Sequence, residues 1–116
     1  MKEINVRDSL RYLKTGTKIA RAFKKEGLTM YRAIALMELY SRGKLPRREL
    51  KENVGIKNEG QFTRDVITPL IEQDYIEYLK YANPKILRNA QKGKDLVDRV
   101  LIECGYSKYQ PAEHHS

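Results

Sequence analysis

Six cationic side chains near the N-terminus recur at steps of three and four residues, which is the spacing of one helix face. They are Arg7, Arg11, Lys14, Lys18, Arg21 and Lys25. At 100° per residue, all six lie within about 40° of one line, and apolar residues fall on the opposite side. Such a line of charge suits nucleic acid, an anionic membrane or an acidic protein, and a merely solvated face is the remaining interpretation.

The positive charge of the chain is concentrated in its first half. The net charge is +8, yet residues 1–58 carry 15 lysines and arginines against 6 aspartates and glutamates. Residues 59–116 carry 8 against 9 and are nearly neutral. A local excess of this kind favours a polyanionic partner, and nucleic acid is the commonest one.

No group of residues in the sequence suits catalysis. His114 and His115 are adjacent near the C-terminus, without a cysteine or carboxylate at metal-ligand spacing. The single Cys104 has no histidine near it in sequence, so we expect a buried, inert thiol and a cytoplasmic location. There is also no glycine-rich phosphate loop. We therefore expect no enzymatic activity, no metal and no cofactor.

A membrane partner is also not expected. No apolar run approaches the roughly 18 residues of a membrane span. The opening MKEINVRDSLRYLK lacks the continuous apolar segment of a signal peptide. The apolar side of the basic helix has no tryptophan and a single phenylalanine, Phe23, which is a weak membrane anchor.

Periodicity and capping residues predict the helices that carry these charges. The first helix spans about 6–23 and ends near Gly27. Thr29 is the predicted N-cap of a second helix, which ends at Gly43. A short third helix follows, with Pro46 in its first turn, where a missing N–H costs nothing.

A fourth helix is predicted to begin after Asn58, which forms a capping-box pattern with Gln61. Its apolar stripe consists of Phe62, Val66 and Leu70. Pro69 lies late in this helix and cannot donate to the carbonyl of Asp65, so we expect a bend there.

The period then changes from helical to alternating. YIEYLK and KILRN flank the turn residues ANP, which predicts a β-hairpin over about 75–90, and a last helix covers about 91–104. The order predicts a mainly α fold with a small β-hairpin, a winged helix-turn-helix with an extra N-terminal amphipathic helix and a C-terminal helix. Residues 1–27 form a basic arm, 28–104 the core and C-terminal helix, and 105–116 a flexible tail.

The segment from about residue 28 to 102 resembles the core of the MarR and PadR regulator families. The matching residues are Leu50, Ile56, Thr63 with Arg64, Leu70, Tyr75 with Ile76, and Gly93 with Leu96. Two features depart from the pattern: Asp74 stands where those families usually have glycine, and the wing lacks their Asp-x-Arg signature. The resemblance implies a homodimeric, nucleoid-associated transcriptional regulator that binds double-stranded DNA and uses helices outside the core for dimerisation.

The resemblance also implies which residues contact DNA. A recognition helix over about 58–73 enters the major groove, where glutamine, arginine and threonine can read base edges; its candidates are Gln61, Arg64 and Thr68. Arg47 and Arg48 precede the turn, where that helix usually crosses the phosphate backbone. The wing over about 75–90 contributes Lys80, Lys85 and Arg88 to the backbone. We interpret Tyr78 and Tyr81 as packing residues, with stacking as the alternative.

Two further functions remain open. A winged helix with a basic extra helix can spread along DNA as an architectural or plasmid-partition adaptor, forming a higher assembly in which the cationic line faces DNA or the next protein. The same fold can also be a protein-interaction module without DNA affinity. Acidic residues on and after the fourth helix favour that last alternative: Glu59, Asp65, Glu72 and Asp74.

Overall fold

The computed structural model of the protein describes residues 18–105. Within this range, helix, sheet and turn alternate around one core. The elements are α1 (Lys18–Lys25), α2 (Met30–Arg42), β1 (Lys44–Pro46), α3 (Arg47–Val54), α4 (three helical segments over residues 59–72), β2 (Ile76–Tyr78), β3 (Ile86–Asn89) and α5 (Gln91–Glu103). The fold is mainly α with a small antiparallel sheet, consistent with winged-helix topology.

Helix α2 lies at the centre of the core, and all seven residues from 33 to 39 are buried. The Thr29 hydroxyl accepts a hydrogen bond from the Arg32 backbone N–H at 3.3 Å, which confirms the predicted N-cap. Gly43 ends the helix with a φ of 84°, a conformation that favours glycine, and donates to the Leu39 carbonyl at 2.8 Å. Both ends of α2 are therefore set by the residues that the sequence predicts.

Helix α1 packs on α2 and on the last helix, α5. Its apolar side is buried through Ile19, Ala22 and Phe23, which join the same core as α2. This part of the basic helix therefore packs on the last helix and belongs to the core. Among the described residues, no helix is both long and apolar enough to cross a membrane.

The predicted β-hairpin is present, but the sheet has a third strand that the sequence did not predict. The strand order is β1-β3-β2, and β1 pairs with β3 in the register Leu45↔Leu87. Pro46 ends β1 and is the N-cap of α3, so its predicted place in the first helical turn is wrong by one residue. This is possible because the edge strand β1 does not need a backbone donor from proline at its end.

Helix α4 contains a wider turn in its middle. An α-helical segment Glu59–Phe62 is followed by a π-helical turn Thr63–Ile67 and a second α-helical segment Thr68–Glu72. The Asn58 side chain accepts from the Gln61 backbone N–H at 2.7 Å, which confirms the predicted cap. The π turn ends two residues before Pro69, the residue expected to disturb this helix.

The N-terminus of α5 approaches the backbone of Tyr75 closely. A Cβ added to Gly93 would lie 2.2 Å from the Tyr75 carbonyl oxygen, so only glycine fits this position. The neighbouring Asp74 has a φ of 62°. That left-handed backbone favours glycine and is uncommon for other residue types.

Candidate nucleic-acid interface

The outer side of α4 carries the three residues predicted to read bases. Arg64 and Thr68 are exposed and Gln61 is half-buried. The opposite side is fully buried through Phe62, Val66 and Leu70. The apolar side thus fixes α4 to the core and turns the polar side outward, as the sequence predicts.

Arg64 forms an ion pair with its neighbour Asp65. The Nε of Arg64 donates to one carboxylate oxygen at 2.9 Å and Nη2 donates to the other at 3.3 Å. The hydrogen bond from Arg64 is the main cause that lowers the pKa of Asp65, and the same bond raises the pKa of Arg64. Because the Arg64 side chain is 74% exposed, a phosphate or base edge can reach its free face.

A side chain from α2 anchors the backbone of α4. Arg32 Nε donates to the Asp65 carbonyl oxygen at 2.7 Å. This is the carbonyl that receives no helical hydrogen bond from residue 69, because Pro69 has no N–H. Arg32 therefore compensates for the proline and ties α4 to the central helix.

Arg47 lies at a junction of three elements. Its guanidinium donates to Tyr78 Oη at 3.2 Å and to Thr63 Oγ1 at 2.6 Å, and it forms an ion pair with Glu59. It also lies 5.1 Å from the ring centroid of Phe62. The Arg47 side chain is only 19% exposed, so it links α3, α4 and β2 as part of the fold.

A basic cleft of about 630 Å³ opens beside this junction. Four cationic residues line it, together with one acidic residue, Glu59. The cations are Arg47, Arg48, Lys51 and Lys85. Arg48 and Lys85 are exposed, whereas the Lys51 side chain is 20% exposed and lies 3.7 Å from Glu59. The cleft therefore carries a net positive charge at the surface.

The wing residues have different surroundings. Lys80 is exposed, and Arg88 donates to Glu77 across the sheet at 2.7 Å. Lys85 lies 5.6 Å from the ring centroid of Tyr78, which packs against the core as predicted. The packing interpretation is wrong for Tyr81: its side chain is fully exposed beyond the end of β2, on a backbone with a φ of 64°.

The predicted line of cations is described only in its second half. Lys18, Arg21 and Lys25 are exposed on α1, and Lys25 lies 3.8 Å from Glu103 of α5. Arg7, Arg11 and Lys14 lie outside the described residues, as do His114 and His115. Whether the six side chains share one surface stays a prediction.

Three residues with clear roles at this surface were missed in the sequence. Lys51 follows Arg47 by four residues, a spacing that places both on one side of α3. Arg32 had an indirect signal, because Pro69 leaves a carbonyl that needs another donor. Glu59 is the acidic partner of both Arg47 and Lys51. The sequence shows that residue 59 is acidic but not that it lies beside these two cations.

Burial is the main cause that raises the pKa of the half-buried Cys104 thiol, which keeps the thiol protonated at neutral pH. Within residues 18–105, no three His, Cys, Asp or Glu side chains come together in a way that suits a metal ion.

Comparison with known proteins found no matching family model, no matching curated protein and no matching solved structure.

Proposed function

We propose that this protein binds double-stranded DNA as a dimeric transcriptional regulator of the winged helix-turn-helix type, similar to MarR and PadR proteins. The observation that carries the proposal is the outward polar side of α4 beside the basic cleft, with the apolar side of α4 packed on α2 and the core. In this arrangement α4 is the recognition helix, and β2, β3 and their connection form the wing.

The shape of this surface suits the major groove. A B-DNA major groove admits one α-helix, and the exposed side of α4 is free of the core. Arg64 can pair with guanine, Gln61 with adenine and Thr68 with a thymine methyl group. Arg47 on α3 and Arg32 on α2 bond to the first half of α4 and would hold it in a fixed orientation for base contacts.

The flanking charges suit the phosphate backbone. Arg48 at the start of α3 and Lys80 and Lys85 in the wing are exposed cations, and Arg48 and Lys85 line the basic cleft beside the start of α4. Arg88 also belongs to the wing, but it forms an ion pair with Glu77, which offsets its positive charge. Phosphate contacts of this kind supply most of the affinity and fix the register, while base contacts supply specificity.

The dimer is the part of the proposal that rests on the family resemblance. A helix outside the core, here the basic N-terminal helix that includes α1, would pair two subunits so that two recognition helices reach half-sites about one helical turn apart. Size-exclusion chromatography with light scattering measures this directly, and a monomer at working concentration would contradict it.

Spreading along DNA is the second candidate function, because α1 adds exposed cations at Lys18, Arg21 and Lys25. A regulator binds one dimer per site. A spreading adaptor binds more protein as the duplex is lengthened at constant site number. Stoichiometry against duplex length therefore separates the two.

The experiment that tests DNA binding itself is fluorescence anisotropy over a salt series. The duplex is a random sequence of about 30 base pairs, long enough for two half-sites. We expect the logarithm of the association constant to fall linearly with the logarithm of salt concentration, with a slope of about −0.9 per phosphate contact. No binding at low salt would contradict the proposal and leave a protein-interaction module.

A further inference from the structure

One negatively charged side chain of the protein, Glu59, lines the basic cleft. Glu59, the first residue of α4, places its two carboxylate oxygens against two different cations. Oε1 contacts Arg47 Nη1, and Oε2 lies 3.7 Å from Lys51 Nζ. A DNA phosphate offers the same elements, one negative charge shared over two free oxygens.

The cations of this arrangement are fixed, whereas the anion is not. The side chains of Arg47 and Lys51 are 19% and 20% exposed, and Arg47 is also held by Thr63 and Tyr78. The Glu59 side chain is 60% exposed and lies at the rim of the cleft. Rotation of Glu59 into solvent would leave the two cations in place for another anion.

We infer that the cleft is a binding site for one phosphate of the DNA backbone, and that Glu59 occupies this site in the free protein as a competitor. The inference rests on the proposed function, because the phosphate belongs to duplex DNA. It adds Lys51 to the phosphate contacts and assigns Glu59 the role of lowering non-specific affinity. Arg48 and Lys85, on the same cleft, approach the neighbouring backbone.

The position of the cleft supports a phosphate as the occupant. It lies between the start of α3, which crosses the backbone in helix-turn-helix proteins, and the connection of the wing. The Arg47 backbone N–H donates to the Lys85 carbonyl at 3.0 Å, so helix and wing are joined at this point. Tyr78 and Thr63 bond two of the five N–H donors of Arg47, and a phosphate that displaces Glu59 would take over the Nη1 donor that Glu59 releases.

The test compares Glu59→Gln with Glu72→Gln in the anisotropy experiment with the random duplex. Both variants change the net charge by +1, but Glu72 is the last residue of α4, about 20 Å along the helix from Glu59. We expect Glu59→Gln to bind about two- to fivefold more tightly, the range set by one exposed ion pair. Its salt slope should become steeper by up to about 0.9, one additional phosphate. Glu72→Gln should change the affinity and the salt slope only by the small amount expected from a distant increase of one in net charge.

Lys51→Gln and the double variant Lys51→Gln/Glu59→Gln test whether the gain arises in the cleft. If Glu59 competes for a phosphate held by Lys51, the gain of Glu59→Gln is reduced or lost in the Lys51→Gln background. If the gain is a general charge effect, it persists there, and the inference is wrong. Thermal melts of all four variants exclude unfolding as a cause.

The remaining outcomes separate this inference from the proposed function. If the wild type binds the duplex and Glu59→Gln binds equally or more weakly, Glu59 positions Arg47 rather than competing with DNA. The inference then fails while DNA binding stands. If neither the wild type nor Glu59→Gln binds at low salt, DNA binding itself fails, and the phosphate site fails with it.

Discussion

The start of α3 and the middle of α4 each carry an arginine predicted to contact DNA, yet the two side chains are held differently. Arg47 is 19% exposed and bonds to residues of α4 and β2. Arg64 is 74% exposed and bonds to the adjacent Asp65. The first region therefore joins the elements of the fold, and the second projects from it.

This difference shows that residue type and position along a motif do not determine what a substitution will change. Replacing Arg47 removes bonds between three elements, so any loss of DNA affinity is mixed with a loss of stability. Replacing Arg64 removes one bond within α4, so its effect on DNA is measured cleanly.

Arg47→Ala is expected to lower the free energy of unfolding by about 2–3 kcal/mol, because a half-buried side chain with charged hydrogen bonds is lost. Arg48→Ala is the matched control: the adjacent arginine is exposed, and we expect a change within about 0.5 kcal/mol. Urea denaturation measures both. Equal stability of the two variants would contradict the conclusion that the Arg47 side chain stabilises the fold more than an exposed arginine does.

Arg64→Ala is expected to leave the unfolding transition in place and to weaken binding to a selected site about 5- to 150-fold. Binding to a random duplex should fall much less, because a base contact carries specificity. In Arg48→Ala, a phosphate contact is lost, so both duplexes should be affected alike. Unchanged site preference in Arg64→Ala would mean that α4 does not read the bases.

The backbone of α4 is expected to be anchored even where its side chains project. Arg32→Met should cost about 1 kcal/mol, because the Asp65 carbonyl loses its donor. In a Pro69→Ala background, residue 69 has an N–H, and the cost of Arg32→Met should become smaller. A double-mutant cycle by thermal denaturation measures this coupling; strictly additive effects would contradict it.

The smallest expected effect is the titration of Asp65. Its pKa lies below the ordinary carboxyl value, chiefly through the hydrogen bond from Arg64. A lowered folded-state pKa stabilises the fold above the unfolded-state pKa, and this contribution is lost as the pH falls through the lowered value. NMR titration should show this pKa rising toward its ordinary value in Arg64→Ala. No rise would mean that the ion pair does not form in solution.

The sequence predicted the features that depend on neighbouring residues. The caps at Thr29 and Asn58, the glycine stop at Gly43 and the alternation of the hairpin all arise from local backbone chemistry. The outward side of α4 followed from the same reasoning, because Phe62 and its apolar neighbours define the buried side.

The features that were missed depend on residues far apart in the chain. Strand β1 has three residues, and it becomes a strand through its pairing with β3, about 40 residues later. The donor to the Asp65 carbonyl comes from Arg32, and the partners of Arg47 come from α4 and β2. The local sequence shows that Pro69 leaves the Asp65 carbonyl without its helical donor. It does not show that the Arg32 side chain supplies the replacement hydrogen bond.

The central claim, that DNA lies against α4 and the wing, is tested most directly by amide chemical-shift mapping with NMR as duplex is added. We predict that the largest shifts occur on the exposed side of α4 around Arg64 and in the wing around Lys85. Residues near Arg99 of α5, which pairs with Glu26 directly after α1, should shift little. Shifts confined to α1 and α5, with α4 unchanged, would contradict the claim.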